Sequence, residues 1–537
     1  MTAGHRDDSL TGLGRLVRLV VRRDRVRLLV WVLATVSVVL VSAGSLPPLY
    51  PDRASQLQYV DLATGNPALL AFGGPGSGFD DPNIGVILVN ETQLWAGMTV
   101  ALMAVFLLTR HTRAEEDDDR ADVIRSGVVG RHAPLAAAAL VATMAILAIA
   151  VICALGFIAL GYATVGSVSL AASLAATGLV FVGVTAVAAQ VASSSRATLG
   201  ASTAVLGAMF LLRAIGDAGT GWPRWLSPLG WAQSGQAFAG ERWWPLVLCS
   251  ALGAGLLVVA NQLSTRRDLG SGLIASRPGP ARAHRWLTHP VGLAVRLQRG
   301  SLIAWTLGLL IFGALYGSIG DQIGTFIEDN PVYADLVAQL QGADLTDSFF
   351  ATALTMLALL ASGFAISAAL HLRTEENAGR ADSLLAGPLS RTRWAASHLA
   401  VASVGSTAIV LAGGLGTGIA YALVAGDAAQ VPRLVGASLV TVPGVLVFVG
   451  IASALFGLVP RAALATWAAL AVVFVVAFFG ELVRLPQWAR DLSPFTHLPA
   501  LPAEPLQWGP VLAVLAVSTT LVAAGLWGLH RRDIAAA

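Results

Sequence analysis

Two short charged segments of this chain carry residue types that could bind a partner or a ligand. Residues 110–136 read RHTRAEEDDDRADVIRSGVVGRHAPLA and residues 370–396 read LHLRTEENAGRADSLLAGPLSRTRWAA, and they align without a gap at a spacing of 260. We call them the first and the second island. Carboxylates and guanidinium groups in a repeated order suit ion-paired recognition of another protein. The matched positions are His111/His371, Arg113/Arg373, Glu115/Glu375, Glu116/Glu376, Arg120/Arg380, Ala121/Ala381, Asp122/Asp382, Gly127/Gly387 and Arg131/Arg391.

Covalent catalysis has little support in the sequence. The chain contains no lysine, so neither the P-loop motif G-x-x-x-x-G-K-[ST] nor a lysine Schiff base is possible. Cys153 and Cys249 lie inside apolar runs and are predicted to be buried packing residues. The nine histidines show no zinc-ligand spacing. We therefore expect no catalytic residue, cofactor or metal in this chain.

The composition places the islands in a membrane protein. Of the 537 residues, 55% are hydrophobic and 12% are charged, with a mean hydropathy of +0.71, whereas soluble domains carry about 25% charged residues. A bilayer-spanning helix needs about 20 apolar residues. The continuous apolar runs exclude a β-barrel and predict an all-α polytopic protein with twelve transmembrane helices. These runs are 27–47, 88–109, 134–162, 167–191, 198–216, 245–263, 301–320, 349–370, 395–425, 434–459, 462–483 and 510–529.

Arginine predicts the orientation of these spans. All 34 basic residues are arginine, and 27 of them fall on one side if the amino terminus is inside. The positive-inside rule therefore predicts cytoplasmic amino and carboxyl termini. Both islands are then cytoplasmic, and the basic excess needs no nucleic acid to explain it.

The chain is predicted to be a tandem duplication. Residues 1–263 form a first six-helix half, 264–300 a cytoplasmic linker with a surface helix, and 301–537 a second six-helix half. Two halves of the same orientation form a parallel repeat, with a substrate path expected at the axis between them. Residues 10–26 have the spacing of an amphipathic helix on the membrane surface. A basic segment that only fixes the topology would show the same residues.

The outer side carries two further signals. Trp222-x-x-x-Leu226-Ser227-Pro228 matches Trp488-x-x-x-Leu492-Ser493-Pro494, which predicts short, partly re-entrant helices with serine caps. Glu91 lies at the outer end of the second span. It is a candidate for the substrate path, and the alternative is an interfacial carboxylate without function, which costs little at the end of a span.

The islands themselves have two interpretations. They could be solvated loops that only fix topology. However, the pattern Arg-x-Glu-Glu-x-x-x-Arg-Ala-Asp is held in both halves, and acidic residues do not fix topology. Glu116 and Arg120 are four residues apart, as are Glu376 and Arg380, which predicts ion pairs on one short helix lying along the membrane. A docking site for a soluble partner accounts for these features.

The second island, Arg373 to Arg391, resembles the loop between the second and third helices of permeases of ABC exporters of the second type. That pattern has an acidic residue, Gly, Leu-Leu-Ala, Pro and then Ser-Arg. The first island departs from it, with Val128-Val129-Gly130 in place of Pro388-Leu389-Ser390. Over its full length the chain resembles actinobacterial exporters of polyketide antibiotics, of the tetronasin-transport type.

The resemblance implies a multi-pass protein of the bacterial plasma membrane that exports hydrophobic or amphipathic compounds. It implies two copies of a separate nucleotide-binding subunit, which would bind ATP and Mg and dock on a coupling helix in each half. Besides this subunit, the expected partners are membrane lipid and a hydrophobic small molecule, with no nucleic acid. The residues predicted to make the docking contacts are Arg113, Glu115, Glu116, Arg120, Asp122, Arg131, Arg373, Glu375, Glu376, Arg380, Asp382 and Arg391.

Three alternatives remain at this stage. A proton-driven drug transporter would need ionisable residues deep in the spans, whereas Glu91, Asp217 and Glu481 all lie near span ends. A membrane-embedded lipid enzyme would need a nucleophile, a metal cluster or paired acids, and none is evident. An ABC permease for a lipid-like substrate fits the sequence as well as a drug exporter.

Overall fold

In the computed structural model the chain is helical, and no strand occurs among the residues described, which are 8–64, 70, 73–218, 221–268, 270–274, 282–328, 345–479 and 486–532. Glu481 lies outside these ranges. The chain forms two compact units, Met1–Gly279 and Pro280–Ala537, whose boundary falls within the predicted linker 264–300. Each unit is described by itself.

The first unit contains ten α-helices in the described residues. They are α1 (Leu13–Leu49), α2 (Arg53–Thr64), α3 (Ile84–His111), α4 (Arg113–Asp117), α5 (Arg120–Arg125), α6 (Ala133–Ala159), α7 (Thr164–Val191), α8 (Ser195–Ala218), α9 (Pro228–Gln233) and α10 (Trp244–Ser264). Helix α7 is the most enclosed long helix and packs against α3, α6 and α10. Its small residues allow this close packing, since a Cβ on Gly183 would lie 2.6 Å from the Gly253 carbonyl oxygen of α10.

The second unit contains nine α-helices in the described residues. They are α11 (Pro290–Glu328), α12 (Leu345–Ala369), α13 (His371–Asn377), α14 (Arg380–Leu385), α15 (Arg391–Ala425), α16 (Gln430–Leu458), α17 (Ala465–Phe479), α18 (Gln487–Arg490) and α19 (Trp508–Arg531). Helix α15 packs against α11 and α16. Gly414 and Gly418 face α16, where a Cβ on Gly414 would meet Ser438, so this small-xxx-small pair serves packing within the half.

Eleven helices in the described part of the chain are long and apolar enough to span a membrane. The prediction of an all-helical, multi-pass protein is confirmed, but the number twelve is not. The predicted run 462–483 begins with a 3-10 turn at Pro460–Ala462 and continues as α17, which has 15 residues. Residues 480–483 of this run lie outside the described ranges, so the length of this span stays a prediction.

The predicted surface helices are not separate elements. Residues 13–49 form one 37-residue helix and residues 290–328 form one 39-residue helix, so each basic flank continues directly into the following span. No residue before Pro47 in α1 breaks the backbone hydrogen-bond ladder, which explains why the helix does not stop at the membrane surface. The cytoplasmic position of the termini and the repeat remain predictions.

Candidate coupling site

Each island is a pair of short helices and not the single helix that the sequence predicts. The first island contains α4 and α5, and the second contains α13 and α14. The two helices meet at Asp119 in the first island and at Gly379 in the second, which both have a left-handed backbone with φ of 57° and 66°. Glycine and aspartate tolerate this conformation better than most residues. These two residues occupy matching positions of the repeat, so both islands turn at the same point.

The turn also changes the predicted ion pairs. Arg120 pairs with Asp118 at 3.1 Å and not with Glu116. Arg380 donates two hydrogen bonds to Glu375, at 2.8 and 3.0 Å, and not to Glu376. The prediction of pairs four residues apart was wrong because the left-handed residue interrupts the helical spacing on which it depended. The second pair raises the pKa of the Arg380 guanidinium above its ordinary value.

Glu116 and Glu376 both bind an arginine from the last helix of their own half. Arg267 follows α10 and donates hydrogen bonds to both carboxylate oxygens of Glu116, at 2.5 and 2.7 Å. Arg532 follows α19 and donates two hydrogen bonds to Glu376, at 2.7 and 2.9 Å. The Arg267–Glu116 pair is bidentate, through two nitrogens, and such a pair fixes both distance and direction, whereas Arg532 reaches both oxygens of Glu376 from its Nη2 alone. The carboxylates are therefore internal contacts of each half.

Arg131 and Arg391 lie near the C-terminal end of their islands, and they bind the ends of α10 and α19, respectively. Arg131 donates to the carbonyl oxygen of Ser264 at 3.2 Å, and Arg391 donates to that of Arg532 at 2.8 Å. The carbonyls at a helix C-terminus lack intrahelical partners and carry partial negative charge, which favours a cation there. We call Glu116, Arg131 and Arg267 the first clamp, and Glu376, Arg391 and Arg532 the second clamp. In each half, a clamp joins the island to the end of the last helix.

Arg113 and Arg373 differ between the halves. Arg113 is fully buried and donates to Glu116 at 2.5 Å and to the carbonyl oxygen of Ser271 at 3.0 Å. Arg373 is half-buried, and its enclosed Nη1 atom makes no hydrogen bond with the part of the chain that the structure describes. Arg113 therefore supports the first clamp, and the second clamp lacks this support.

Glu115 and Glu375 also bind within their own half. Glu115 accepts a hydrogen bond from Arg23 of α1 at 2.6 Å and lies 3.4 Å from His111. Glu375 lies 3.3 Å from His371, which matches the first island. Glu115 therefore holds the first island to α1, whereas Glu375 binds residues of the second island itself.

Asp24 is a site residue that the sequence reasoning missed. It lies in a basic stretch of α1 but is 1% exposed, and its carboxylate contacts His111 at 2.7 Å and Arg110 at 3.1 Å. The sequence feature that could have identified Asp24 is a single acidic residue within the basic run RRDR. At the spacing of 274 that relates Arg22 to Arg296, the second half has Gln298, which lies 3.5 Å from the His398 ring.

Four of the predicted docking residues lie exposed on α5 and α14. Side chains of Arg120 and Arg380 are 54% and 53% exposed, and Asp122 and Asp382 are also exposed. The first island adds Val123, which is 75% exposed. Of the twelve predicted docking residues, these four charged side chains and the clamp member Arg131 are accessible. The structure thus separates exposed candidates for docking from residues that hold the islands in place.

A small polar cavity lies between the first island and α10. It encloses about 50 Å³, and Glu116, Arg131, Gln190 and Arg267 line it. Its size suits one or two water molecules but no organic ligand. The described residues contain no group of three or more His, Cys, Asp or Glu side chains that could hold a metal.

Glu91 lies on the side of α3 that faces α2. The Tyr59 hydroxyl of α2 donates to its carboxylate at 2.7 Å, and the Asn90 amide donates to the Tyr59 oxygen at 2.6 Å. Burial raises the pKa of the Tyr59 hydroxyl, so it stays a donor. Glu91 therefore has a structural partner, and its assignment to the substrate path stays a prediction.

The outer short helices occur where the sequence predicts them. Residues 222–226 form a 3-10 helix followed by α9, and residues 487–497 form α18 and a 3-10 helix at Pro494–His497. Ser493 caps the second of these by accepting from the Phe495 amide at 3.3 Å. Ser227 instead donates to the Met209 carbonyl oxygen at 2.7 Å. One of the two predicted caps is therefore present.

The long apolar helices define the class of the protein as a multi-pass membrane protein. Residues 287–530 match the family described as "Multidrug efflux system permease Rv1217c, C-terminal domain". The chain is 41% identical over 535 residues to the multidrug efflux system permease protein Rv1217c of Mycobacterium tuberculosis, covering 99% of this chain and 97% of that protein. The chain belongs to this family of efflux permeases and is a multi-pass protein of the cell membrane.

Proposed function

We propose that this chain is the membrane subunit of an ATP-driven ABC exporter. It moves hydrophobic or amphipathic compounds, such as drugs or polyketide antibiotics, out of the cell. The name of the related protein from M. tuberculosis supports multidrug efflux as the activity. The resemblance of the second island to permeases of ABC exporters supports ATP as the energy source.

The observation that carries the proposal is the pair of clamps. In each half, an exposed short helix is joined through buried charge pairs to the end of a long apolar helix. A surface loop that only fixed topology would not need an internal carboxylate bound bidentately. An attachment of this kind suits an element that must transmit force without deforming, since packed and hydrogen-bonded groups move as one body.

The proposed mechanism follows from this attachment. A nucleotide-binding subunit contacts α5 and α14 through Arg120, Asp122, Arg380 and Asp382. Because Glu116 and Glu376 hold α10 and α19, a displacement of α5 or α14 is passed to the last helix of the same half. ATP and Mg are bound by the partner, expected in two copies. This chain supplies the docking surface and the path for the substrate.

Cross-linking tests the docking surface directly. Val123→Cys and Ser383→Cys place thiols on exposed positions of the two islands, and the native Cys153 and Cys249 are buried. We expect both variants to cross-link to a co-expressed ABC ATPase subunit in native membranes. A cysteine replacing Asp61, which is exposed on α2, should give no cross-link. Equal cross-linking at all three positions would contradict the proposal.

A further inference from the structure

The second unit contains a cavity of about 500 Å³ that the proposed mechanism does not use. It lies between α12, α17 and residues 487–504. Pockets of roughly 300–1,000 Å³ suit drug-sized ligands. Its lining combines the apolar Met356, Val476 and Phe495 with the hydroxyls of Thr352 and Thr355. This arrangement suits an amphipathic molecule.

Arg490 is the charged donor of this cavity. Its Nε atom is enclosed and makes no hydrogen bond with any group in the described ranges. No acidic side chain among the described residues comes within 4 Å of its guanidinium, whereas Arg224, at the matching position of the first half, lies 3.9 Å from Asp217. A guanidinium whose Nε atom is enclosed, and which has no acid partner in the described part of the chain, suits an anionic ligand.

The other polar groups of the cavity do not compete for this role. Thr352 and Thr355 donate their hydroxyl protons to backbone carbonyl oxygens of α12, at 3.0 and 2.9 Å, and Thr496 donates to the Ser493 carbonyl oxygen at 2.7 Å. Glu504 also lines the cavity, and its carboxylate accepts from the Ala500 amide at 3.0 Å. Arg490 is the cationic group of this lining and therefore suits an anion.

We propose that this cavity binds an anionic amphiphile, with its carboxylate or phosphate group on Arg490 and its apolar part against Met356, Val476 and Phe495. The proposal goes beyond the proposed function, because such binding needs neither ATP nor a partner subunit. A lipid phosphate and a fatty carboxylate share this chemistry, and the choice of probes distinguishes them.

The test uses the purified full-length permease without any ATPase subunit. Binding of dihexanoyl phosphatidylglycerol, dodecanoate and the zwitterionic dihexanoyl phosphatidylcholine is measured by native mass spectrometry. We expect at least one anionic probe to bind about tenfold more tightly than the zwitterionic one, and Arg490→Gln to remove this preference, as the loss of a charged hydrogen bond predicts. The probe that binds identifies a lipid or a fatty acid as the source.

Two further variants show whether a loss of binding comes from the cavity or from a general loss of folding. Thr352→Phe fills the cavity without touching Arg490 and should weaken the same probe. Arg242→Gln removes an exposed arginine of the first unit and should leave binding unchanged. Equal binding of the anionic probes to wild type and Arg490→Gln, or an equal loss in Arg242→Gln, would overturn the assignment.

Discussion

Arg532 donates two hydrogen bonds to Glu376, at 2.7 and 2.9 Å, across 156 residues of sequence. Arg267 pairs with Glu116 in the first half, there through both Nη1 and Nη2, whereas Arg532 uses Nη2 alone. The two islands therefore share a specific ion pair and not only a run of charges. Acidic residues hold each island to the end of a long helix, and the second helix of each island carries exposed charged residues.

The second clamp should contribute to the stability of its half. Arg532→Gln removes both hydrogen bonds to Glu376 and the contact of the guanidinium with the Phe456 ring at 4.9 Å. We expect a loss of about 1–3 kcal/mol, seen as a lower thermal unfolding midpoint in detergent. Arg531→Gln is the matched control, since Arg531 lies 4.1 Å from the Trp527 ring and should cost less than about 1 kcal/mol. Equal effects of the two variants would argue against the clamp.

The docking surface should tolerate substitution without loss of folding. Asp122 and Asp382 are exposed, so Asp122→Arg with Asp382→Arg should change the unfolding midpoint by little. Affinity for the nucleotide-binding subunit should fall about tenfold or more, because reversed charges at an interface repel. Co-purification with the tagged partner measures this change. The variant Asp61→Arg reverses a charge on α2 and should retain the partner; if it loses the partner too, the effect is not specific to the islands.

Asp24 should stabilise the first half more than Gln298 stabilises the second. Asp24→Gln copies the residue of the second half but leaves His111 and Arg110 without their carboxylate. We expect a cost of about 1–3 kcal/mol, measured by thermal unfolding. Gln298→Ala removes one long contact to His398 at 3.5 Å and should cost less. A larger effect in Gln298→Ala would contradict this assignment.

The variant Tyr59→Phe tests whether Glu91 has a structural role that is distinct from a role in transport. Tyr59→Phe removes the hydrogen bond to Glu91 and should destabilise the contact of α2 with α3 by about 1 kcal/mol. Because the folded pKa of Tyr59 lies above its ordinary value of 10, this contact contributes fully below pH 10. Its contribution declines above pH 10, where the unfolded tyrosine ionises. A pH series of unfolding midpoints for wild type and Tyr59→Phe measures the difference, which should shrink above pH 10.

Transport assays then address Glu91 itself. If Glu91 lies on the substrate path, Glu91→Gln reduces transport far more than Tyr59→Phe does. Matching small effects in the two variants would leave Glu91 with its structural role alone.

Hydropathy and the repeat predicted much of the fold. Long apolar runs correctly predicted eleven helices long enough to span a membrane, and the Trp-x-x-x-Leu-Ser-Pro motifs correctly predicted short helices at both positions. The twelfth predicted span, 462–483, is described only as far as Phe479, where α17 accounts for most of it, so its full length stays a prediction. The predicted helix over 10–26 is continuous with the first span in α1, and its position at the membrane surface stays a prediction.

The sequence identified the residues of the two islands but not the contacts that these residues make. Spacing of residues identified Glu116 and Glu376, but their partners Arg267 and Arg532 lie more than 150 residues away and depend on tertiary packing. The left-handed turn at Asp119 and Gly379 could have been suspected from a matched aspartate and glycine. Asp24 was missed because its burial against His111 depends on how α1 packs against α3.

The central claim is that this chain moves its substrate only when a separate ATPase subunit acts on the islands. Uptake of a fluorescent hydrophobic drug into inverted proteoliposomes measures this directly, with the permease alone, with the partner and ATP, and with an imposed proton gradient alone. We predict uptake only when partner and ATP are both present, and its loss in the variant carrying Asp122→Arg and Asp382→Arg. Uptake by the permease alone under a proton gradient would contradict the account.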